Sequence, residues 1–320
     1  MSEWYLQKLY ETTDQPTLRF AFQGTVNWMR GLAILCVEEV FTDEKIKIFY
    51  ATVKRRNKNS EADLIVFENI LMAIHNLHSL KLINTKIENP YSVARTQIIS
   101  WYYSIYYASS AMIGAHSGNM QETHSGTAKV WQKDIVEKLT MSPFNLSLST
   151  LVEKDYKSAI EIMREGNNFD LNNYPKNEKE AFGALFSYLQ GTASYKKWET
   201  EENIKGSREF ENLGVSDFRT KVARELRDIK LEKGIVNFLV QAFRYRGKAN
   251  YRDSVFLSYG NDRSEELKQF ILDLDTVATA FMKMASTYAK ARVHKSDWDN
   301  FVSDLETNLR FEFDTNILKI

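Results

Sequence analysis

The spacing of hydrophobic residues along this chain predicts long amphipathic helices. The sharpest pattern runs from Ser264 to Arg292, where apolar residues recur with the period of a helix. Ser264 suits the N-cap, and Glu265 and Glu266 complement the positive end of the helix dipole. The repeating apolar positions are Leu267, Phe270, Ile271, Leu274, Val277, Ala278, Phe281, Met284, Ala285 and Tyr288. The pattern therefore predicts one helix over 264–292.

Three further segments show the same period. They extend over 61–82, over 90 to about 115, and over 216 to about 251. Asn89 is placed to cap the second of these, and Gly234 is a weak point in the third because glycine disfavours a helix interior. Leu226, Ile229, Ile235, Leu239 and Phe243, together with Phe218 and Val222, form the apolar face predicted for this third segment.

The stretch 140–215 has a different pattern. It is richer in Asn, Ser, Lys and Glu, and it contains the polar loop 166–174. Short helices are predicted over 148–164 and 176–198, and we interpret the stretch as an insertion or a cap over a helical core. With only 13 glycines and four prolines in 320 residues, the chain favours helices joined by short loops. The predicted fold class is all-α.

Composition limits the function classes. Basic and acidic residues balance at 42 each, so no global field attracts nucleic acid or an anionic membrane, and such contacts must come from local patches. The basic segment 54–58 is predicted to be a surface loop. Cys36 is the only cysteine, which excludes an internal disulfide and a cysteine-based zinc site. Neither a bilayer-spanning segment nor a signal peptide is predicted, and the expected location is cytoplasmic.

The residues from Gln241 to Gly260 carry the most informative chemistry. In a helix, Arg246 and Asn250 share one face and Arg244 and Tyr251 another, because positions four and seven apart lie above one another. Such a cluster could bind a phosphate bidentately through an arginine and place a proton donor beside it. A solvated basic helix face is the alternative interpretation.

Other candidate sites are weaker. His75 and His78 stand three apart, a spacing that can chelate a metal, but their apolar neighbours favour two histidines at the edge of a core. No metal site and no cofactor are predicted, and the phosphate-binding loop and nucleophile-elbow motifs are absent. Tyr102 and Tyr106 share a helix face. This face could pack in the core against another helix, or it could be an exposed surface on which bases stack.

Two separated stretches of the chain form a recognisable pair. One is the aromatic helix segment 95–108 followed by Thr123-His124 in the loop 122–126. The other is Arg246-Gly-Lys-Ala-Asn-Tyr251 ahead of the long final helix. Together they resemble the HEPN family (the higher eukaryotes and prokaryotes nucleotide-binding domain), in which aspartate is commoner at the position of Asn250. The resemblance covers less than half of the chain.

This resemblance implies an up-and-down four-helix bundle, a two-fold homodimer and a metal-independent ribonuclease. The division it suggests is an N-terminal helical region over 1–88, a first core part over 89–139, an insertion or cap over 140–215 and a second core part over 216–320. The family's usual motif is arginine followed at four to six residues by histidine. Here Tyr251 stands in the histidine's place, as in a subset of the family found beside antitoxins.

The sites implied fall into three groups. Arg246 and Tyr251 are the catalytic candidates, and Arg244 also satisfies the spacing at its outer limit. The phosphate- or RNA-binding candidates are Arg244, Lys248, Asn250 and Arg252, and the accessory candidates are His124 and Tyr102. Arginine can stabilise a phosphorane, whereas tyrosine, with a pKa of about 10, is a poor base at neutral pH and a better proton donor.

The leading hypothesis is an RNA-targeting effector of a bacterial toxin or anti-phage system that cleaves tRNA or mRNA and acts with an antitoxin or activator protein. The alternative is a catalytically inactive HEPN-like module that binds a nucleotide or a partner protein. A helical interaction protein with solvated arginines is the third possibility.

Overall fold

The structure, a computed structural model, describes residues 4–11, 19–37, 41–167, 173–250, 252–259 and 262–320. These residues are mainly helical and contain no β-strand, only one isolated bridge between Leu148 and Val236. The all-α prediction is confirmed. In chain order the α-helices are α1 (Trp4–Glu11), α2 (Arg19–Leu35), α3 (Asp43–Tyr50), α4 (Ser60–Asn84), α5 (Ala94–Ser117), α6 (His124–Val130), α7 (Val136–Leu139), α8 (Glu153–Arg164), α9 (Glu178–Lys205), α10 (Arg208–Glu211), α11 (Lys221–Glu232), α12 (Phe238–Asn250), α13 (Ser264–Arg292) and α14 (Lys295–Asn308). Shorter turns are the 3₁₀ segments Pro90–Ser92, Arg252–Leu257 and Thr315–Leu318 and the π segment Trp131–Ile135.

The core forms around α5 and α13. Helix α5 packs against α4, α13 and α12, while α13 also contacts α2, α3 and α4. Helix α2 joins this group to α9, which packs in turn against α8 and α11. Two smaller apolar clusters flank the main core, one between α8 and α9 and one around Ile204, Phe210 and Ala223. Helix α12 therefore lies between the main core and α9.

Helix bounds follow the apolar pattern where that pattern is long. Helix α13 has the predicted bounds, although Ser264 is its first residue instead of its cap, and Asp262 accepts the Ser264 backbone N–H at 3.0 Å. The segment predicted over 216–251 is two helices, because Val236 pairs with Leu148 and interrupts it. Gly234 lies in the break, where a Cβ would meet the Leu151 side chain at 2.3 Å.

The basic segment 54–58 is a loop between α3 and α4, and its arginines bind helix ends. Arg56 donates to the Gly114 carbonyl at 2.7 Å near the end of α5 and pairs with buried Asp63. Arg292, from the end of α13, donates to the carbonyls of Lys54 and His116. Arg56 and Arg292 thus satisfy carbonyl groups at the negative end of α5, which gives both cations a structural role. None of the helices in the described residues has the length and apolar character needed to cross a membrane.

Candidate functional site around Arg246

Helix α12 is fixed by two buried polar residues. Asn237, just before the helix, donates to the Ala128 carbonyl at 2.9 Å and accepts the Val240 N–H at 3.1 Å. Tyr245 is fully buried and donates to the Thr25 carbonyl at 2.6 Å. Because Tyr245 points into the core, its neighbours Arg244 and Arg246 lie on opposite flanks of the helix.

Arg246 is enclosed by aromatic rings. Its guanidinium carbon lies 5.5 Å from the centre of the Tyr102 ring, 5.6 Å from Tyr103 and 5.7 Å from Phe243. Nη2 donates to the Tyr103 hydroxyl at 3.4 Å, and Nε is buried without a hydrogen-bond partner. Among the described residues no carboxylate pairs with this guanidinium. The side chain is thus a partly desolvated cation whose neighbours are π faces, an environment that favours an added anion.

His124 reaches the same place from the start of α6. Thr123 caps this helix by accepting the Gly126 N–H at 3.0 Å, and a Cβ at position 126 would lie 2.9 Å from the Thr123 hydroxyl. The Thr-His-Ser-Gly sequence therefore forms a tight helix start that presents His124. The His124 Nδ1 and the Tyr102 hydroxyl are 2.7 Å apart, and the imidazole packs on the Tyr106 ring at 4.5 Å and on Phe243 at 5.1 Å.

Burial and charge set the protonation of this group. The pKa of His124 is lowered, first by burial and then by the charge of Arg246. Burial raises the pKa of Tyr102 far above neutrality, although Arg246 partly opposes it. The stable pair at neutral pH is a neutral imidazole beside a protonated phenol. When Nδ1 donates to the Tyr102 oxygen, Nε2 keeps the lone pair that a proton acceptor needs.

The predicted site residues separate into distinct places. Arg246, Tyr102 and His124 form one cluster, while Arg244 and Lys248 lie on the other flank of α12 against α9. Asn250 is exposed at the end of α12. Tyr251 lies outside the described residues. The Arg252 backbone begins the short 3₁₀ segment Arg252–Leu257.

Two parts of this arrangement were not predicted from the sequence. Arg95, on α5, donates from Nε to the Ala249 carbonyl at 2.8 Å and so holds the end of α12 beside the aromatic helix. Phe243, assigned to an apolar face, is 45% exposed and forms one wall around Arg246. The signal for Phe243 was its position three residues before Arg246, the separation at which helical side chains are neighbours.

The remaining candidates have structural surroundings. Cys36 is buried, and burial raises the pKa of its thiol. His78 stacks on Phe311 at 4.5 Å and His75 contacts the same ring at 5.4 Å. Within the residues described, no group of three or more His, Cys, Asp or Glu side chains is placed to hold a metal ion.

Comparisons of the chain with protein-family models, with curated proteins and with solved structures give no match. Function must therefore be inferred from the geometry around Arg246.

Proposed function

We propose that this protein is a metal-independent endoribonuclease that acts on tRNA or mRNA as an effector of a bacterial toxin or anti-phage system. The observation that carries the proposal is the contact between His124 and Tyr102 beside the Arg246 guanidinium. These groups provide a proton acceptor and a fixed cation within one aromatic cluster. The HEPN-like bundle, with its antitoxin or activator partner, belongs to the same proposal.

Each residue has a chemical task in this reaction. Cleavage without metal requires the ribose 2′-OH to attack the neighbouring phosphate, the negative charge of the phosphorane to be stabilised and a proton to reach the leaving 5′-oxygen. The neutral imidazole of His124 accepts the 2′-OH proton, and Arg246 stabilises the phosphorane. Tyr102 orients the imidazole through its hydroxyl. Tyr251, directly after Asn250, is proposed as the donor to the leaving oxygen.

Purified protein incubated with total tRNA in EDTA tests the proposal. We expect cleavage that leaves cyclic phosphate ends, with Arg246→Ala and His124→Ala each lowering the rate at least a hundredfold. Tyr251→Phe should slow the reaction as well. The matched control is Arg219→Ala, because the Arg219 side chain is 91% exposed and paired only with its neighbour Asp217 among the described residues. Full cleavage by Arg246→Ala would overturn the proposal.

A two-fold homodimer is the proposed assembly. In a dimer of this symmetry the same surface of each copy would face the other, so two Arg246 clusters could act on one phosphate. Light scattering across a concentration series tests this point. A monomer at every concentration that supports cleavage would remove the shared site and leave the single-chain mechanism intact.

A binding module without turnover is the second candidate. It is favoured by the buried Nε of Arg246, which has no partner, and by the partly exposed Tyr103 and Tyr106 rings beside it. A nucleotide would place a phosphate at the cation and a base against a ring. Calorimetry should then show that mononucleotides bind the wild-type protein and do not bind Arg246→Ala. That result, together with no cleavage of RNA, would identify this function.

A further inference from the structure

Two exposed aromatic residues stand on α9 next to α12. Tyr195 is 40% exposed and Trp198 is 55% exposed, and their ring centres are 5.7 Å apart. Three residues apart on a helix, they share one face. Large aromatic rings left in solvent on one helix face provide a flat apolar surface that a planar group can cover.

Arg244 extends this surface with a positive charge. Its guanidinium carbon lies 4.8 Å from the centre of the Tyr195 ring, and Nη1 donates to the Thr192 hydroxyl at 3.1 Å. Lys248, one turn further along α12, has its ammonium 5.3 Å from the centre of the Tyr188 ring. The surface thus combines two exposed rings with two cations on a single flank of α12.

Arg244 differs from the neighbouring lysines of α9 in its ion pairing. Lys196 pairs with Glu199, and Lys197 pairs with Glu153 at 2.6 Å. No carboxylate of the described residues forms an ion pair with Arg244, whose contacts are a hydroxyl and two rings. Arg244 therefore has no carboxylate partner among the described residues, and its guanidinium lies where α9 and α12 meet.

Gly247 connects this flank to the Arg246 cluster. On α12 the exposed Phe243 and Asn250 and the part-exposed Gly247 lie on one ridge, with Arg244 on one side and Arg246 on the other. Gly247, which has no side chain, is part-exposed on this ridge between the two arginines. Glycine within a helix costs up to about 1 kcal/mol relative to alanine, and close approach of a ligand to the backbone is one use for it.

We propose that Tyr195, Trp198 and Arg244 form a subsite for single-stranded RNA, in which bases stack on the rings and the cations bind the phosphates. The strand crosses α12 at Gly247 and presents a neighbouring phosphate to Arg246. This inference builds on the proposed function and names its substrate as unpaired RNA, since bases in a duplex have no face available for stacking.

Binding of an oligonucleotide that cannot be cleaved tests the subsite separately from catalysis. The probe is a short, fluorescein-labelled 2′-O-methyl oligouridylate, in which the attacking hydroxyl is blocked. Fluorescence anisotropy should give about a tenfold weaker Kd for Tyr195→Ala and for Trp198→Ala, and Trp198→Phe should retain most of the affinity because a ring remains. Arg244→Ala should weaken binding and flatten its salt dependence.

Phe49→Ala is the matched control. Phe49 is an exposed aromatic residue, 39% accessible, on α3, which packs against α13. This variant should bind the probe like the wild type, and thermal unfolding should show that every variant is folded. Equal affinity of wild type, Tyr195→Ala and Trp198→Ala would overturn the subsite.

The two proposals fail in different ways. Cleavage of RNA that is lost in Arg246→Ala, combined with unchanged probe binding in the α9 variants, would leave the nuclease and overturn the subsite. Ring-dependent binding of the probe without cleavage of any RNA would support the subsite and overturn the nuclease. No binding of the probe by the wild-type protein would also overturn the subsite.

Discussion

The pKa of His124 links the residues of the candidate site. Arg246 disfavours the protonated imidazole, so Arg246→Gln should raise the pKa of His124 towards its ordinary value, while burial keeps it from recovering fully. Histidine signals followed by NMR through a pH titration measure this shift. Arg244→Gln is the control on the same helix, and it should leave the His124 titration unchanged. An unaltered pKa in Arg246→Gln would mean that the two groups do not interact in solution.

The same pKa sets a pH dependence of stability. Because the folded-state pKa of His124 is lowered, the unfolded chain binds more protons once the pH falls below about 6.5. His116, whose pKa is lowered by burial and by Arg292, acts in the same direction. The free energy of unfolding should therefore decline as the pH falls below about 6.5 towards the lowered folded-state pKa values of the two histidines. The decline should be less steep in the double variant His116→Gln, His124→Gln. Denaturant titrations at a series of pH values measure the difference.

Removal of the Tyr102 hydroxyl tests its role in positioning. Tyr102→Phe deletes the hydrogen bond to His124 and should cost about 1 kcal/mol of unfolding free energy. Misplacement of the imidazole should slow the proposed RNA cleavage by about ten- to a hundredfold with little effect on KM. Tyr106→Phe is the control, since its ring packs on His124 but its hydroxyl is not bonded to that residue. Equal cleavage rates for the two variants would contradict the role.

Residue identities were easier to infer than their contacts. Arg246, His124 and Tyr102 could each be selected from the sequence, with the resemblance as guide. The contact between these side chains could not be predicted from the sequence. His124 and Arg246 are far apart in the chain and are brought together by the packing of α12 on α5 and α6. Spacing rules describe neighbours on one helix and do not report on such contacts.

At the scale of the element, two glycines should respond oppositely to substitution. Gly118 ends α5 with φ of 76°, and a Cβ there would meet the Ala62 Cβ at 3.2 Å. Gly118→Ala should lower the free energy of unfolding by about 1–2 kcal/mol. Gly191 lies within α9, and a Cβ added there would meet no neighbouring atom within 4 Å, so Gly191→Ala should raise it by up to about 1 kcal/mol. Denaturant unfolding measures both changes, and a stabilised Gly118→Ala would contradict the helix end described.

Elements were predictable where the local pattern was long and undisturbed. Helix α13 keeps one apolar face along its whole length, and its bounds follow from that face. The break between α11 and α12 depends instead on Leu148, a residue far away in the sequence, through its bridge to Val236. Val222 and Ile229, assigned to a buried face, are exposed because α11 packs through Ala223 and Leu231. The position of the break and the exposure of these two side chains are therefore determined by tertiary contacts and not by the local pattern.

For the whole molecule, the Arg30–Asp273 pair joins separate parts of the chain. Asp273 on α13 is buried and accepts from Arg30 on α2 at 2.9 Å, from Gln269 at 2.9 Å and from the Tyr174 hydroxyl at 3.4 Å. Asp273→Ala leaves these donors unmatched and should cost about 3 kcal/mol of unfolding free energy. Glu265→Ala, at an 86% exposed side chain on the same helix, should change it by less than about 0.5 kcal/mol. Calorimetry of both variants tests the difference, and equal losses would contradict the role of the pair.

The enclosure of Arg246 has a thermodynamic consequence. A solvated arginine has about 2 kcal/mol of rotamer entropy, part of which is lost when it grips a ligand. Arg246 is already restrained by three rings and the Tyr103 hydroxyl, so this ordering takes place when the chain folds. A phosphate bound there as proposed would therefore meet a preorganised cation and form its contacts with a smaller entropic penalty than at a mobile surface arginine. In the proposed site, folding stability and anion affinity are in this way coupled through one side chain.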